Sequence, residues 1–278
     1  RIVNTKDIEN AVYRAALTAG VNLTSSCRDA LESAYSEEDE GAAKFALGEL
    51  IENSEIAKKM QMPVCQDTGM AVVILEIGNE IFFEGAPLPL AVNEGVRRAY
   101  RDGYFRKSVC DPITRANTTD NTPAALHTEI VAGDKIKLTF MPKGFGSENM
   151  SALYMLKPAQ GVQGIIDSIV ETVEKAGSRP CPPIYVGVGI GGTFDGCAYL
   201  AKKALTRDIG THSDRADIAA IENEALKRIN ELGTGCQGFH GKVTALGVSC
   251  EWAPTHIAGL PVAVNIQCHC VRCVKEEL

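Results

Sequence analysis

Three cysteines stand where the backbone is constrained. Cys65 lies in Pro63-Val64-Cys65-Gln66-Asp67-Thr68-Gly69 and Cys181 in Arg179-Pro180-Cys181-Pro182-Pro183, each just ahead of an apolar run that reads as a strand. Cys268 follows such a run, in Asn265-Ile266-Gln267-Cys268-His269. A metal centre needs ligands whose direction is fixed, and thiols beside proline or at a strand end supply that. Taken singly, each is better explained as an inert buried thiol, because Cys packs as a small hydrophobe. Their wide separation matches no local zinc or ferredoxin spacing. The densest cluster, Cys268-His269-Cys270-Val271-Arg272-Cys273, offers half of a zinc ribbon, and the chain has no second C-x2-C pair to complete one.

Two glycine-rich segments could hold an anion. Gly187-Val188-Gly189-Ile190-Gly191-Gly192 fits the dinucleotide pattern between a strand and a helix. The helix it opens is followed by Thr206-Arg207-Asp208-Ile209-Gly210, which is no β-branched strand, so the unit is incomplete and nucleotide binding stays a minor alternative. Lys143-Gly144-Phe145-Gly146-Ser147-Glu148-Asn149 follows a strand, and its N–H groups could take a carboxylate or phosphate. An ordinary glycine turn explains it equally well. Arg106, alone among its neighbours, reads as a surface residue, and His256, flanked by apolar residues, as a core histidine.

The elements that position these residues read as follows. Ile8, Ala11, Val12, Ala15 and Ala16 keep helical spacing, with Thr5 as N-cap and Gly20 as stop. Ala43, Ala46, Leu47, Leu50 and Ile51 give a second helix, so residues 1–60 form a helical subregion. Met70 to Ile77 is a strand that Gly78-Asn79-Glu80 turns toward Ile81-Phe82-Phe83. A helix near Leu90 to Tyr100 is followed by a long loop from Arg106 to Pro123. Thr128 to Val131 and Lys135 to Phe140 read as a hairpin. Then come a helix over Val162 to Val173 ended near Gly177, a buried strand at Ile184 to Val188 and a helix from Phe194 to Leu205. A further helix is capped by Ser213, and two late strands lie at Val243 to Val248 and Val262 to Ile266. Helices and strands mix without regular alternation, so the fold class is α+β, with one domain over residues 1–278.

Composition sets the class of partner. The 278 residues carry Lys+Arg 28 against Asp+Glu 35, a net charge of -7, which argues against a nucleic-acid binder but not against an anionic substrate at a local pocket. Apolar runs fall far short of the roughly 20 residues a membrane helix needs, so no membrane partner is expected. The first residues lack a signal-peptide pattern, which makes the cytoplasm the expected compartment. Ten cysteines in a reducing compartment are not expected to pair as disulfides.

Together these segments resemble a known family. The stretches around Cys65, Lys143 to Asn149, Cys181-Pro182-Pro183, Gly189 to Thr193 and Gln267-Cys268-His269 occur in this order in the iron–sulfur (class I) fumarate hydratases, over nearly the whole chain. The resemblance is to the α subunit of the two-chain form, equivalent to the N-terminal domain of single-chain enzymes. Tartrate dehydratase α subunits are similar; the Lys143-Gly144-Phe145-Gly146-Ser147 segment favours fumarate. The resemblance implies a [4Fe-4S] cluster on Cys65, Cys181 and Cys268, with one iron left open as a Lewis acid for reversible dehydration of (S)-malate. It implies Asp67 and His256 as catalytic residues, and Gln66, Arg106 and Gly146 as substrate-binding ones for a small dicarboxylate. Cys270 and Cys273 lie outside the family pattern. The family's second half, with further Lys and Arg residues, is not in this chain. A separate β subunit and an α2β2 assembly are therefore expected. The rival reading is a non-catalytic zinc protein using the Cys-rich tail.

Overall fold

Short-range chemistry sets the element boundaries. The structure is a computed structural model describing every residue from Arg1 to Leu278. In chain order the elements are β1 (Ile2–Asn4), α1 (Thr5–Val21), α2 (Ser25–Glu37), α3 (Ala42–Met60), β2 (Met70–Gly78), β3 (Phe82–Glu84) and α4 (Leu88–Asp102). There follow β4 (Ala125–Val131), β5 (Ile136–Lys143), α5 (Phe145–Glu148), β6 (Ala152–Leu156), α6 (Gly161–Ala176), β7 (Ile184–Gly191) and α7 (Phe194–Ala204). Last come α8 (Ala216–Glu231), β8 (Ala245–Ala253), β9 (Leu260–Gln267) and β10 (Val274–Glu277). The fold is α+β, as the mixed pattern predicts. The chain divides into two compact units that interleave along the sequence. Unit 1 holds Arg1–Thr24, Asn53–Phe145 and Arg272–Leu278; unit 2 holds Ser25–Glu52 and Gly146–Val271.

Unit 1 is built on β2. Ala71, Val73, Leu75 and Ile77 alternate along it and pack with Ile136, Leu138 and Phe140 of β5. Against them lie Ile8, Val12, Ala15 and Ala19 of α1 and Val92, Val96 and Ala99 of α4. The two helices approach closely: a Cβ on Gly95 would stand 2.6 Å from the Glu9 carbonyl. The sheet order is β10-β5-β2-β4, with β2 antiparallel to β5 and parallel to β4. The expected hairpin of the fourth and fifth strands therefore does not form, because β2 sits between them and takes the ladder bonds of both. Likewise Phe82–Glu84 pairs in parallel with β1, not back onto β2.

Helix caps differ from expectation by small steps. α1 is capped by the Asn4 side chain, which accepts from the Lys6 N–H at 2.9 Å, so Thr5 is its first residue. Gly20 stays inside α1, where the Phe105 ring occupies the space a Cβ would need. In unit 2, Ser213 Oγ accepts from the Arg215 N–H at 3.3 Å, ahead of the helix, and α8 begins after Arg215.

Unit 2 is a sheet of order β6-β9-β7-β8, with β7 antiparallel to β9 and parallel to β8. Ile184, Val186, Val188 and Ile190 of β7 pack with Ile165, Ile169 and Val173 of α6 and Ile218, Ile221 and Ile229 of α8. The alternate positions, Gly187 and Gly189, face α7. A Cβ on Gly189 would lie 1.9 Å from the Cys197 carbonyl and one on Gly187 2.3 Å from that of Ala201. Two glycines of the dinucleotide-like pattern thus sit inside a strand and let a helix press against it. α6 ends at Gly177 (φ +56), as its glycine predicts.

Candidate functional site

In unit 1 the stretch from Cys65 to Gly69 is held from beneath by its own carbonyls. The Arg272 guanidinium donates to the Asp67 carbonyl at 3.0 Å. The Tyr100 hydroxyl lies 2.8 Å from the carbonyls of both Thr68 and Gly69, and the Asn121 amide donates to Gly69 at 3.1 Å. Gly69 has φ +79, and a Cβ there would stand 2.7 Å from the Lys143 nitrogen, so only glycine fits. Upstream, the Val64 N–H donates to the Gly20 carbonyl and the Val64 carbonyl accepts from Asn53. The Asp67 carboxylate is oriented at both oxygens. Gly69 N–H donates to Oδ1 at 3.0 Å and Phe145 N–H to Oδ2 at 2.9 Å. The anion-binding capacity expected of the Lys143 to Phe145 segment is thus directed at a carboxylate of the chain itself. Gln66 and Arg106 are exposed, and Thr68 Oγ1 fixes the Arg106 backbone by donating to its carbonyl at 2.9 Å.

In unit 2 the stretches of Cys181 and Cys268 meet. Cys181 is exposed and has φ +57. Its carbonyl accepts from the His269 N–H at 3.3 Å, with His269 Nδ1 3.0 Å away. Gln237 buttresses the same turn, donating to the Pro182 carbonyl from its backbone at 2.8 Å and its amide at 2.9 Å. Gly146 is exposed, and a Cβ on it would meet only the Arg179 carbonyl, at 4.0 Å. Two residues on, Glu148 pairs with Lys202 and accepts from Asn265 at 2.7 Å, tying this turn to β9.

His256 lies elsewhere in unit 2. It is exposed in the loop from β8 to β9 and is no core histidine. Its Nδ1 accepts from the Ala258 N–H at 3.1 Å, which leaves the proton on Nε2 in the neutral ring. With Gly192, Thr193, Tyr199 and Thr255 it lines a groove of about 350 Å³. Thr255 anchors this loop by donating to the Gly192 carbonyl at 2.9 Å.

The sequence of this chain matches the family model described as fumarate hydratase (Fumerase) over residues 9–277. This chain belongs to the fumarate hydratase family. It is a hydro-lyase of the fumarate hydratase and tartrate dehydratase kind. It is 42% identical over 269 residues to a Methanocaldococcus jannaschii protein named "Putative L(+)-tartrate dehydratase subunit alpha", covering 94% of each. It is 27% identical to the Escherichia coli L(+)-tartrate dehydratase subunit alpha, over 86% of this chain and 80% of that one. The anaerobic class I fumarate hydratase of Escherichia coli is 29% identical, over 84% of this chain and 45% of that protein.

For a fumarate hydratase family chain the donor set is the test of an iron–sulfur centre. Cys27, Cys197, Cys236, Cys250 and Cys270 are buried, and no disulfide joins any cysteine. Burial pushes the Cys27 and Cys236 thiols up to about 12 and Cys250 higher still, so these resist the ionisation a ligand needs. Cys65, Cys181 and Cys268 are at least partly exposed and lie on loops, where thiolates can reach a cluster; Cys110 and Cys273 share that exposure. Within neither unit do three His, Cys, Asp or Glu side chains gather as a site for one metal ion. A single ion draws its sulfurs to about 2.3 Å from itself, whereas a cubane is wider and holds each cysteine on a separate iron. No helix is long and apolar enough to cross a membrane.

Sequence reasoning missed Arg272, Tyr100 and Asn121, each at most 1% exposed. Arg272 lies within the Cys268 to Cys273 run, where a cation between cysteines carries no sign of burial. The one available signal was a lone cation next to Val271, at a point where a strand was still to come.

Proposed function

We propose that this chain is the α subunit of a hydro-lyase that reversibly dehydrates (S)-malate to fumarate, with residues 1–278 working as one hydro-lyase domain in the cytoplasm. Cys65, Cys181 and Cys268 would hold a [4Fe-4S] cluster. When bound, a cluster with three protein thiolates supplies one open iron, a Lewis acid for the substrate hydroxyl and carboxylate.

The chain's own residues supply binding and proton transfer. The Arg106 guanidinium is exposed and takes one substrate carboxylate in a bidentate pair, while the Gln66 amide orients the other end. Gly146, exposed and without a side chain, is the third substrate-binding residue of this reading. Asp67, aimed by two backbone N–H groups, is the carboxylate that handles the carbon-bound proton. His256, whose neutral ring carries its proton on Nε2, is the second proton-transfer residue of this reading. The observation that carries this reading is the Cys65–Asp67 turn. One short loop joins a reachable thiol to a carboxylate whose two oxygens are both fixed.

A β subunit completes the active site in an α2β2 assembly. Two relatives are named as α subunits, which supports a separate partner. Those same names favour L(+)-tartrate as the second candidate substrate. The zinc-tail alternative loses ground because Cys270 is buried and its carbonyl is held by Gln267 at 3.1 Å. The test is an anaerobic assay of the chain paired with a β subunit. Malate consumption with fumarate formation supports the reading. Turnover of tartrate alone moves it to the second substrate, and turnover of neither refutes it.

A further inference from the structure

α7 reaches the turn of Gly146 through a lysine that the proposed reaction leaves unused. β7 and β9 pair Gly187 with Asn265 and Gly189 with Ala263, so these four residues share one face of the sheet. α7 covers that face, where its Cys197 and Ala201 pack with Ala263. The helix sits close because the two glycines carry no Cβ, and one on Gly187 would stand 2.3 Å from the Ala201 carbonyl. Lys202 is the next residue of α7. Its ammonium pairs with Glu148, and the two side chains are only 15% and 27% exposed. The Glu148 carboxylate also accepts from the Asn265 amide at 2.7 Å. That amide donates to Ser151 Oγ at 2.7 Å, and Ser151 Oγ accepts from the Ile266 N–H at 3.1 Å. A lysine of α7 and an asparagine of β9 therefore hold one carboxylate at the end of α5.

The turn needs this hold. α5 has 4 residues, too few to keep a helical turn on its own. Gly146 lies inside it, two residues before Glu148, with no side chain to anchor it. Even a Cβ there would only just reach the Arg179 carbonyl, at 4.0 Å. Its place is inherited from its neighbours. An exposed ion pair would fix them weakly. Lys202 differs because burial pulls its ammonium below its ordinary value, and Glu148 is the charge that offsets this. Separating the pair would leave a largely buried charge alone, which is costly.

Resting on the proposed hydro-lyase reading, in which Gly146 binds substrate, we infer that Lys202 is a positioning residue for the dicarboxylate: through Glu148 it sets the place of Gly146. The test uses the full chain paired with its β subunit, assayed anaerobically on malate, or on tartrate if that is the acid turned over. Lys202→Met keeps the length and loses the charge. It should raise KM about tenfold and leave kcat within about twofold, the pattern of lost binding, not lost chemistry. Lys202→Arg, which keeps the charge, should recover most of the loss. A lower Tm with KM unchanged would make Lys202 a plain structural partner and overturn the inference. So would a fall in kcat at constant KM. Should Lys202→Met fail to fold, Glu148→Gln, which loses the opposite charge and keeps an acceptor for Asn265, takes its place.

A second readout needs no turnover. The Met150 and Ser151 N–H groups donate to the Ser147 and Glu148 carbonyls, each at 3.1 Å. In Lys202→Met their hydrogen exchange should speed up about tenfold while that of β7 stays at the wild-type rate. Unchanged exchange in the turn counts against the inference. If the wild-type complex dehydrates neither acid yet exchange in the turn speeds up in the variant, the hydro-lyase reading fails and the hold of Lys202 on the turn stands.

Discussion

Arg272 and Asp67 show what one side chain does at this site. The guanidinium is 1% exposed, and a buried cation is costly unless it is bonded and its charge is used. It donates to the Asp67 carbonyl, so it sets where that carboxylate starts. Replacing Arg272 with Gln should lower kcat about a hundredfold through misplacement of Asp67, with a much smaller change in KM. Arg272→Lys, which keeps the charge and one donor, should recover part of the loss. A variant with unchanged kcat would remove Arg272 from the account. The cysteines give an independent check at the same scale. Alkylation of the native chain followed by mass spectrometry should find Cys181 modified well before Cys27 or Cys250. The first is exposed, and the other two are buried with their thiols pushed up by desolvation. Early labelling of Cys27 would contradict the structure.

At the scale of elements, contact between helix and strand explains motifs that invite other readings. Gly189→Ala would drive a Cβ into the Cys197 carbonyl, so α7 must shift away from β7. A loss of about 1–3 kcal/mol is expected, read from the denaturant midpoint, with no NAD affinity in either form. In unit 1, Glu9 of α1 pairs with Arg98 of α4 and with Lys6 at 2.7 Å. Burial alone would raise the Glu9 carboxyl, but bonds to Lys6 and Arg98 outweigh it and hold it below the usual range. A depressed carboxylate stabilises the fold above its unfolded pKa and loses that contribution as pH falls through the folded value. Glu9→Gln should therefore lower Tm at neutral pH, and the gap to wild type should close below about pH 4. A gap that persists in acid would show that packing, not charge, is at work. Much of this level is legible in the sequence. The helical spacing of Val162 to Val173 marks α6, which buries one face, and the apolar run Met70 to Ile77 marks β2, which is buried on both. Strand pairing was not legible: Val131 and Ile136 flank a tight turn, yet β2 takes both neighbours. Nor were the caps, since Asn4 and Thr5 both suit an N-cap and one residue decides between them.

At the scale of the whole molecule, the proposal divides the labour among chains. The cysteine-bearing loops and their supports were legible as motifs, because ligand geometry needs proline, glycine and strand ends nearby. The placement of His256 at the other end of β9 was not, since sequence order carries no sense of which sheet edge a loop reaches. The chain alone should turn over malate far more slowly than the chain with its β subunit, and air should inactivate the complex, since the proposed cluster would present an open iron to oxygen. Equal rates with and without the partner would refute the shared site. The most direct measurement is iron and acid-labile sulfide after anaerobic reconstitution of the full chain. Wild type should carry about four of each per chain. Cys65→Ala, Cys181→Ala and Cys268→Ala should each lose them, while Cys197→Ala keeps them. Retention of the full complement in any of those first three variants would contradict the three-cysteine centre on which the function rests.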